Sequence, residues 1–310
     1  MLTLPPKGFA RSVNKHNVDA SICCDWIEAC ALFGEGEASG SDVVDILREN
    51  EIYETQGFAW ELVNDAFLAI RERKRVLGDG YPLRVQAGTR VVSDATWQDF
   101  APYAFCLALS LSKAYPNWSH AFGVDFGPQG KLFEDLTAEA VAATFSGWEV
   151  HQTGWSATEP NLIAGIVRNV AERIGEATGE VRRWSAKRAK EAGLDLLCFR
   201  PFADGRAGLP TMLFQCASGK DWRSKLHQPE IRVWTKIVSF TIEPQKALAM
   251  PFALNHDDFR YHANVVNGLL LDRDRLLTPG QANRDWISDG LRDRMRAWVG
   301  SRIATLPVAA

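Results

Sequence analysis

Two short apolar runs, DLLCFRPF at 195–202 and TMLFQCAS at 211–218, flank the turn-forming segment ADGRAGLP, and they limit the possible folds more than any other stretch. Runs of this length, rich in Leu, Phe, Met and Cys and bounded by Gly and Pro, read as strands. With a turn between them they should pair as an antiparallel hairpin. Two polar residues then stand out. Asp195 opens the first run, and Gln215 lies near the end of the second, inside an otherwise apolar strand where a buried amide must find hydrogen-bond partners. In an antiparallel pair the start of one strand lies beside the end of the next, so the two side chains should meet at one end of a sheet.

Upstream, residues 17 to about 76 read as three helices in succession. The second, SDVVDILREN, has Ser41 as its expected N-cap, and the third closes on Gly78. YPLRVQAGTRVV reads as a short hairpin, and ATWQDFAPYAFCLALSLSKAY as an apolar helix ending before Pro116. Three helices and a hairpin invite a winged-helix, DNA-binding reading; a helical scaffold is the alternative. The basic run Arg71, Arg73, Lys74 and Arg75, interrupted by Glu72, reads as a helix surface or last turn. The Gly-rich stretch NWSHAFGVDFGPQG marks a boundary near residue 120, giving a mainly helical domain at 1–120 and a second domain at 121–310. In the second domain the pattern predicts a helix at 130–145, a strand at 147–153 and a helix at 160–176. After the hairpin come a helix at 221–239, a strand over KALAMPFAL, an apolar run VVNGLLLD and a helix near 284–303.

Composition narrows the function classes. A formal net charge of -3 argues against coating nucleic acid by bulk charge, so any such contact must be local. No apolar stretch approaches the roughly 18 residues of a membrane span, and MLTLPPKGFARSVNK lacks the apolar centre of a secretion signal. A cytoplasmic protein with no membrane association is expected. The six cysteines lack the paired C-x2-C spacing of a structural zinc site and read as buried or free thiols.

Cleaving a phosphodiester with a hard cation requires oxygen ligands converging from separate elements, usually with a lysine nearby. Three strings carry that pattern: GKLFEDL at 130–136, AGLDLLCFRPF at 192–202 and LFQCASGKDW at 213–222. In this order they resemble the PD-(D/E)XK, restriction-endonuclease-like nuclease superfamily over roughly residues 122–275. The resemblance implies an α/β fold, a mixed sheet flanked by helices and here preceded by a mainly helical domain. It implies a metal-dependent endonuclease acting on nucleic acid, DNA above all, with Mg2+ or Mn2+ as cofactor. By the same resemblance Glu134, Asp195, Gln215 and the carbonyl of Cys216 would hold the metal, Gln215 standing where the family has an acid. The family's lysine would fall on Ala217; Lys220, three residues further, could be returned to the site by a bend at Gly219. Many such relatives act in restriction or defence against foreign DNA, with a homodimer or a separate defence-system protein as partner. An inactive protein of the same fold, binding nucleic acid or serving as an adaptor, is the alternative.

Two further segments enter the functional reading. VRRWSAKRAK at 181–190 carries Arg182, Arg183, Lys187, Arg188 and Lys190 with no acid, and Trp184 among them could stack on a base or pack on the sheet. Its other reading is a solvated helix face. NHDDFRYHAN at 255–264 reads as a polar loop in which His256, Asp257, Asp258 and His262 could ligate a metal in a different hydrolase.

Overall fold

The structure, a computed structural model, describes residues 1–9, 18–53, 55–86, 88–121, 126–153, 163–184, 193–281 and 283–308. The chain divides into two units. One comprises Met1–Phe126, Pro251–Asn255 and Arg273–Ala310, and the other Gly127–Met250 and His256–Asp272. The first therefore extends past the boundary expected near 120 and recovers the C-terminal part of the chain, which the sequence reading had assigned to the second domain.

The first unit is mainly helical, with helices Ala20–Ala29, Gly40–Glu49, Gln56–Leu77, Ala101–Ala114 and Asp289–Ile303. The expected hairpin forms between Arg84–Gln86 and Arg90–Val92, and Glu37–Ser39 adds a third strand. The N-cap of the second helix is Ser39, whose Oγ accepts from the Asp42 N–H at 3.2 Å, rather than Ser41. The reason the C-terminal segment belongs here is a buried polar cluster. Arg273, fully buried, donates both ends of its guanidinium to Asp25 at 2.9 Å and its Nε to the Pro251 carbonyl at 2.9 Å. Arg73 bridges Asp25 and Glu28 at 2.8 and 2.7 Å, and the hydroxyls of Tyr81 and Tyr103 donate to Glu28 at 2.6 and 2.7 Å. Arg73 is thus a core residue, contrary to the surface expected for its basic run. Further along, Trp298 of the last helix meets Phe105 edge to face at 5.0 Å between ring centres.

The second unit is built on a five-stranded mixed sheet. Its strands are β1 (Glu149–Gln152), β2 (Leu196–Phe199), β3 (Thr211–Cys216), β4 (Gln245–Ala249) and β5 (Leu269–Leu271), adjacent in that order. The expected hairpin is β2–β3, with Leu196 opposite Phe214 and Phe199 opposite Thr211. β1 is antiparallel to β2, whereas β4 and β5 continue the sheet in parallel from β3. Every residue of β2 and β3 is buried, which explains their continuous rather than alternating apolar pattern. β1 lies at an edge and carries Glu149, His151 and Gln152, polar residues that blunt an unpaired strand.

Helices cover both faces. α2 (Ile163–Ile174) presents Ile163, Ile166, Val167, Val170, Ala171 and Ile174, a stripe at helical spacing, to Leu197, Phe199 and Leu213. Trp234 and Ile237 of α3 (Ile231–Ile237) complete that core, each such side chain contributing about 1.5–3 kcal/mol on full burial. α1 (Phe126–Thr144) lies over the other face. Asp135 accepts from the Gln152 side chain at 2.7 Å, and Thr137 hydrogen-bonds the Cys216 thiol. The helix expected at 221–239 is broken at Pro229, which has no N–H to give, into a 3-10 turn at Trp222–Lys225 and α3. The segment expected to be a polar loop around His256 is α4 (His256–Val266). All six cysteines are buried and free, as expected. Among the described residues no helix is long and apolar enough to cross a membrane.

Candidate functional site

Asp195 stands one position before β2 but remains in the ladder. Its N–H donates to the Phe214 carbonyl at 2.8 Å, and its own carbonyl accepts from the Thr153 N–H at 3.0 Å. The Thr153 hydroxyl also donates to the Leu194 carbonyl at 2.6 Å, tying this strand end to the end of β1. The chain enters through Gly193 at φ +72°, where a Cβ would stand 2.9 Å from the side chain of Gln228; only glycine suits both the backbone and the space.

The side chain of Asp195 is 8% exposed and that of Gln215 equally enclosed. Oδ2 of Asp195 accepts from the Cys216 N–H at 2.5 Å and from Nε2 of Gln215. That same nitrogen donates to the Cys216 carbonyl at 3.2 Å. The hairpin register therefore brings Asp195, Gln215 and Cys216 together. Burial pushes the Asp195 carboxyl up to about 6, against the opposing pull of the Cys216 N–H and the Lys225 ammonium. Burial likewise raises the Cys216 thiol, with Asp195 and Glu134 adding to the rise, so the sulfur stays protonated.

Glu134, half-buried on α1, is thus close enough for its charge to act on Cys216, though by a different residue from the one that meets Gln215. Lys220 is exposed, and Gly219 does not adopt a left-handed conformation that would fold it back. The cation whose field reaches Asp195 is Lys225, half-buried at the end of the 3-10 turn. Sequence reasoning missed it; the available signal was Trp222, an aromatic amid polar residues, which is buried and anchors that turn.

The donors suit a hard divalent cation in kind: carboxylate, backbone carbonyl and amide oxygen. With the amide as placed, its nitrogen bridges Asp195 and the Cys216 carbonyl, and rotating it end for end would present Oε1 instead. Among the described residues no three of His, Cys, Asp and Glu gather to hold an ion. Any site here must therefore draw on the amide and the carbonyl as well as the acids.

Of the basic run, Arg182 and Arg183 lie on the exposed short helix Val181–Trp184, while Lys187, Arg188 and Lys190 lie outside the described residues. Arg183 pairs with Glu180 at 3.1 Å and lies 5.3 Å from the ring centre of Trp184, over which Lys236 also stands. The alternative histidine site is not assembled. His256 and His262, six residues apart on α4, point to different sides of the helix. His256 is exposed, whereas His262 is buried edge to face with Trp222 at 4.8 Å.

No protein-family model, curated protein or solved structure matches the chain.

Proposed function

We propose that the chain is a divalent-metal-dependent endonuclease of the restriction-endonuclease-like kind, cleaving phosphodiester bonds of nucleic acid, DNA in the first place, around Asp195. The observation that carries this reading is the convergence of a buried carboxylate, a buried amide and a backbone carbonyl at the joined ends of β2 and β3. A carboxylate enclosed this far is costly unless a positive charge accompanies it. Mg2+ or Mn2+, when bound, would supply Lewis acidity to the phosphate and to water.

The chain's own residues hold and orient. Asp195 and the Cys216 carbonyl offer oxygen ligands on rigid strands, Gln215 offers its amide oxygen, and Glu134 adds a second carboxylate from α1. Hydrolysis adds water across the bond: the water oxygen joins phosphorus, and the sugar oxygen leaves with a proton. Arg182 and Arg183 are candidate contacts for substrate phosphates. A role in restriction or anti-phage defence, with a second copy or a separate defence protein as partner, fits this reading.

The test is incubation of the purified protein with plasmid DNA and with RNA in Mg2+, Mn2+ or EDTA. Metal-dependent cleavage lost in Asp195→Ala supports the proposal; cleavage absent under all metals, or undiminished in that variant, refutes it. One observation favours a second reading, a non-catalytic nucleic-acid-binding or adaptor protein. The Gln215 amide already links Asp195 to the Cys216 carbonyl, closing the centre without an ion. That reading requires binding without cleavage.

A further inference from the structure

We infer that Lys225 is the ammonium of the Asp195 centre, delivered by the turn that follows β3 and docked against the entrance of β2. The inference rests on reading Asp195 as the heart of a phosphodiester-cleaving site, and it assigns the positive group that the residue at 217, an alanine, cannot supply.

The turn is held at three points. Trp222, 2% exposed, buries its ring against His262 of α4, and its N–H donates to the Gly219 carbonyl at 3.2 Å. One residue past Lys225, the Leu226 carbonyl accepts from Nζ of Lys246 on β4 at 3.3 Å. Three residues past it, the Gln228 side chain lies over Gly193, two positions before Asp195, so closely that a Cβ on Gly193 would stand 2.9 Å from it. The Gln228 N–H donates back to the Lys225 carbonyl at 2.9 Å, joining the docked residue to the lysine. Lys225 therefore sits on a segment fixed to the sheet on one side of it and to the approach to Asp195 on the other. Lys220 precedes all three anchors and is exposed.

Electrostatics agree with that placement. The Lys225 charge lowers both the Asp195 carboxyl and the Cys216 thiol, so its field covers the group at which the oxygen ligands converge. An ammonium has three donors on a flexible stem, which lets it neutralise the carboxylate in the metal-free protein and turn to a phosphate oxygen or a water when substrate is present.

The experiment is a double-mutant cycle read by thermal unfolding of the metal-free protein at pH 8, combined with plasmid cleavage in Mg2+. Lys225→Met should lower Tm by about 3 °C in the Asp195 background and have no effect in Asp195→Asn, because only a charge partner depends on the carboxylate. Lys225→Arg should retain the coupling, and Lys220→Met should show none. Cleavage by Lys225→Met should fall about a hundred-fold. Absence of coupling, or coupling carried by Lys220 instead, overturns the assignment. If the wild-type protein cleaves nothing yet the cycle shows coupling, the nuclease reading falls while Lys225 stands as the partner of Asp195.

Discussion

The N–H of Cys216 donates to Oδ2 of Asp195 at 2.5 Å, so the backbone of one central strand holds the carboxylate that opens its neighbour. That single donor, the Gln215 amide and the Lys225 charge do not offset the loss of water, and the carboxyl rises to about 6. A carboxyl whose folded pKa exceeds its unfolded value binds its proton more tightly when folded. Its cost is absent below the ordinary value, grows as pH rises and is complete above about 6. Asp195→Asn should therefore stabilise the metal-free protein at pH 8 by on the order of 1–3 kcal/mol while abolishing cleavage. Urea unfolding at pH 8 and pH 4 checks it: a gain at pH 8 that disappears at pH 4 is expected, and a loss at pH 8 would refute it.

Cation binding should follow the same proton. An ion must displace it below about pH 6, so apparent affinity for Mn2+ should fall about tenfold per pH unit there and level off above neutrality. The Cys216 thiol stays protonated throughout, because burial raises it. Titration of Mn2+ into the protein between pH 5 and 8 measures the slope; an affinity constant over that range would exclude Asp195 as a ligand.

The β2–β3 pair was legible in the sequence because both strands are buried on both faces and so read as unbroken apolar runs between turn residues. Antiparallel register then brought Asp195 to Gln215 without further information. Lys225 was not legible, since its position depends on a 3-10 turn and on Gln228 seating over Gly193, neither of which has a period. Arg73 is a different case. Its basic neighbours suggest a surface, yet it lies three residues after Ile70 and four before Leu77, both buried, so helical register already placed it on the core face. Its partner Asp25 and the distant Arg273 share no local signal at all.

Replacing Gln215 by Glu should trade stability for cation affinity. The new carboxylate would face Asp195 in a buried space, and the Cys216 carbonyl would lose its amide donor. The metal-free Gln215→Glu protein should be about 2–3 kcal/mol less stable than the wild type. Divalent ions should then bind at least about tenfold more tightly, since a charged oxygen replaces a neutral one. Calorimetric titration with Mg2+ and Tm with and without the ion read both effects. A variant as stable as the wild type and no better at binding would show that position 215 does not face the ion.

The helical unit offers a test that owes nothing to the candidate site. Burial alone would push the Asp25 carboxyl up, but Arg273 and Arg73 outweigh it and hold it below its ordinary value. A carboxyl lowered in this way stabilises the fold at neutral pH and ceases to do so as acid protonates it. Arg273→Met would leave Asp25 with Arg73 as its remaining cation and strip the Pro251 carbonyl of the guanidinium Nε donor. Removing one partner of a buried pair typically costs about 3–5 kcal/mol, and Lys in its place could not reproduce the two-pronged contact. Urea unfolding followed by far-UV circular dichroism should show a large fall in midpoint for Arg273→Met and an intermediate one for Arg273→Lys. Arg75→Met, which removes only an exposed partner of Glu72, should leave the midpoint where it is. Equal midpoints for Arg273→Met and Arg75→Met would mean that the cluster does not tie the C-terminal segment to the unit in which Asp25 lies.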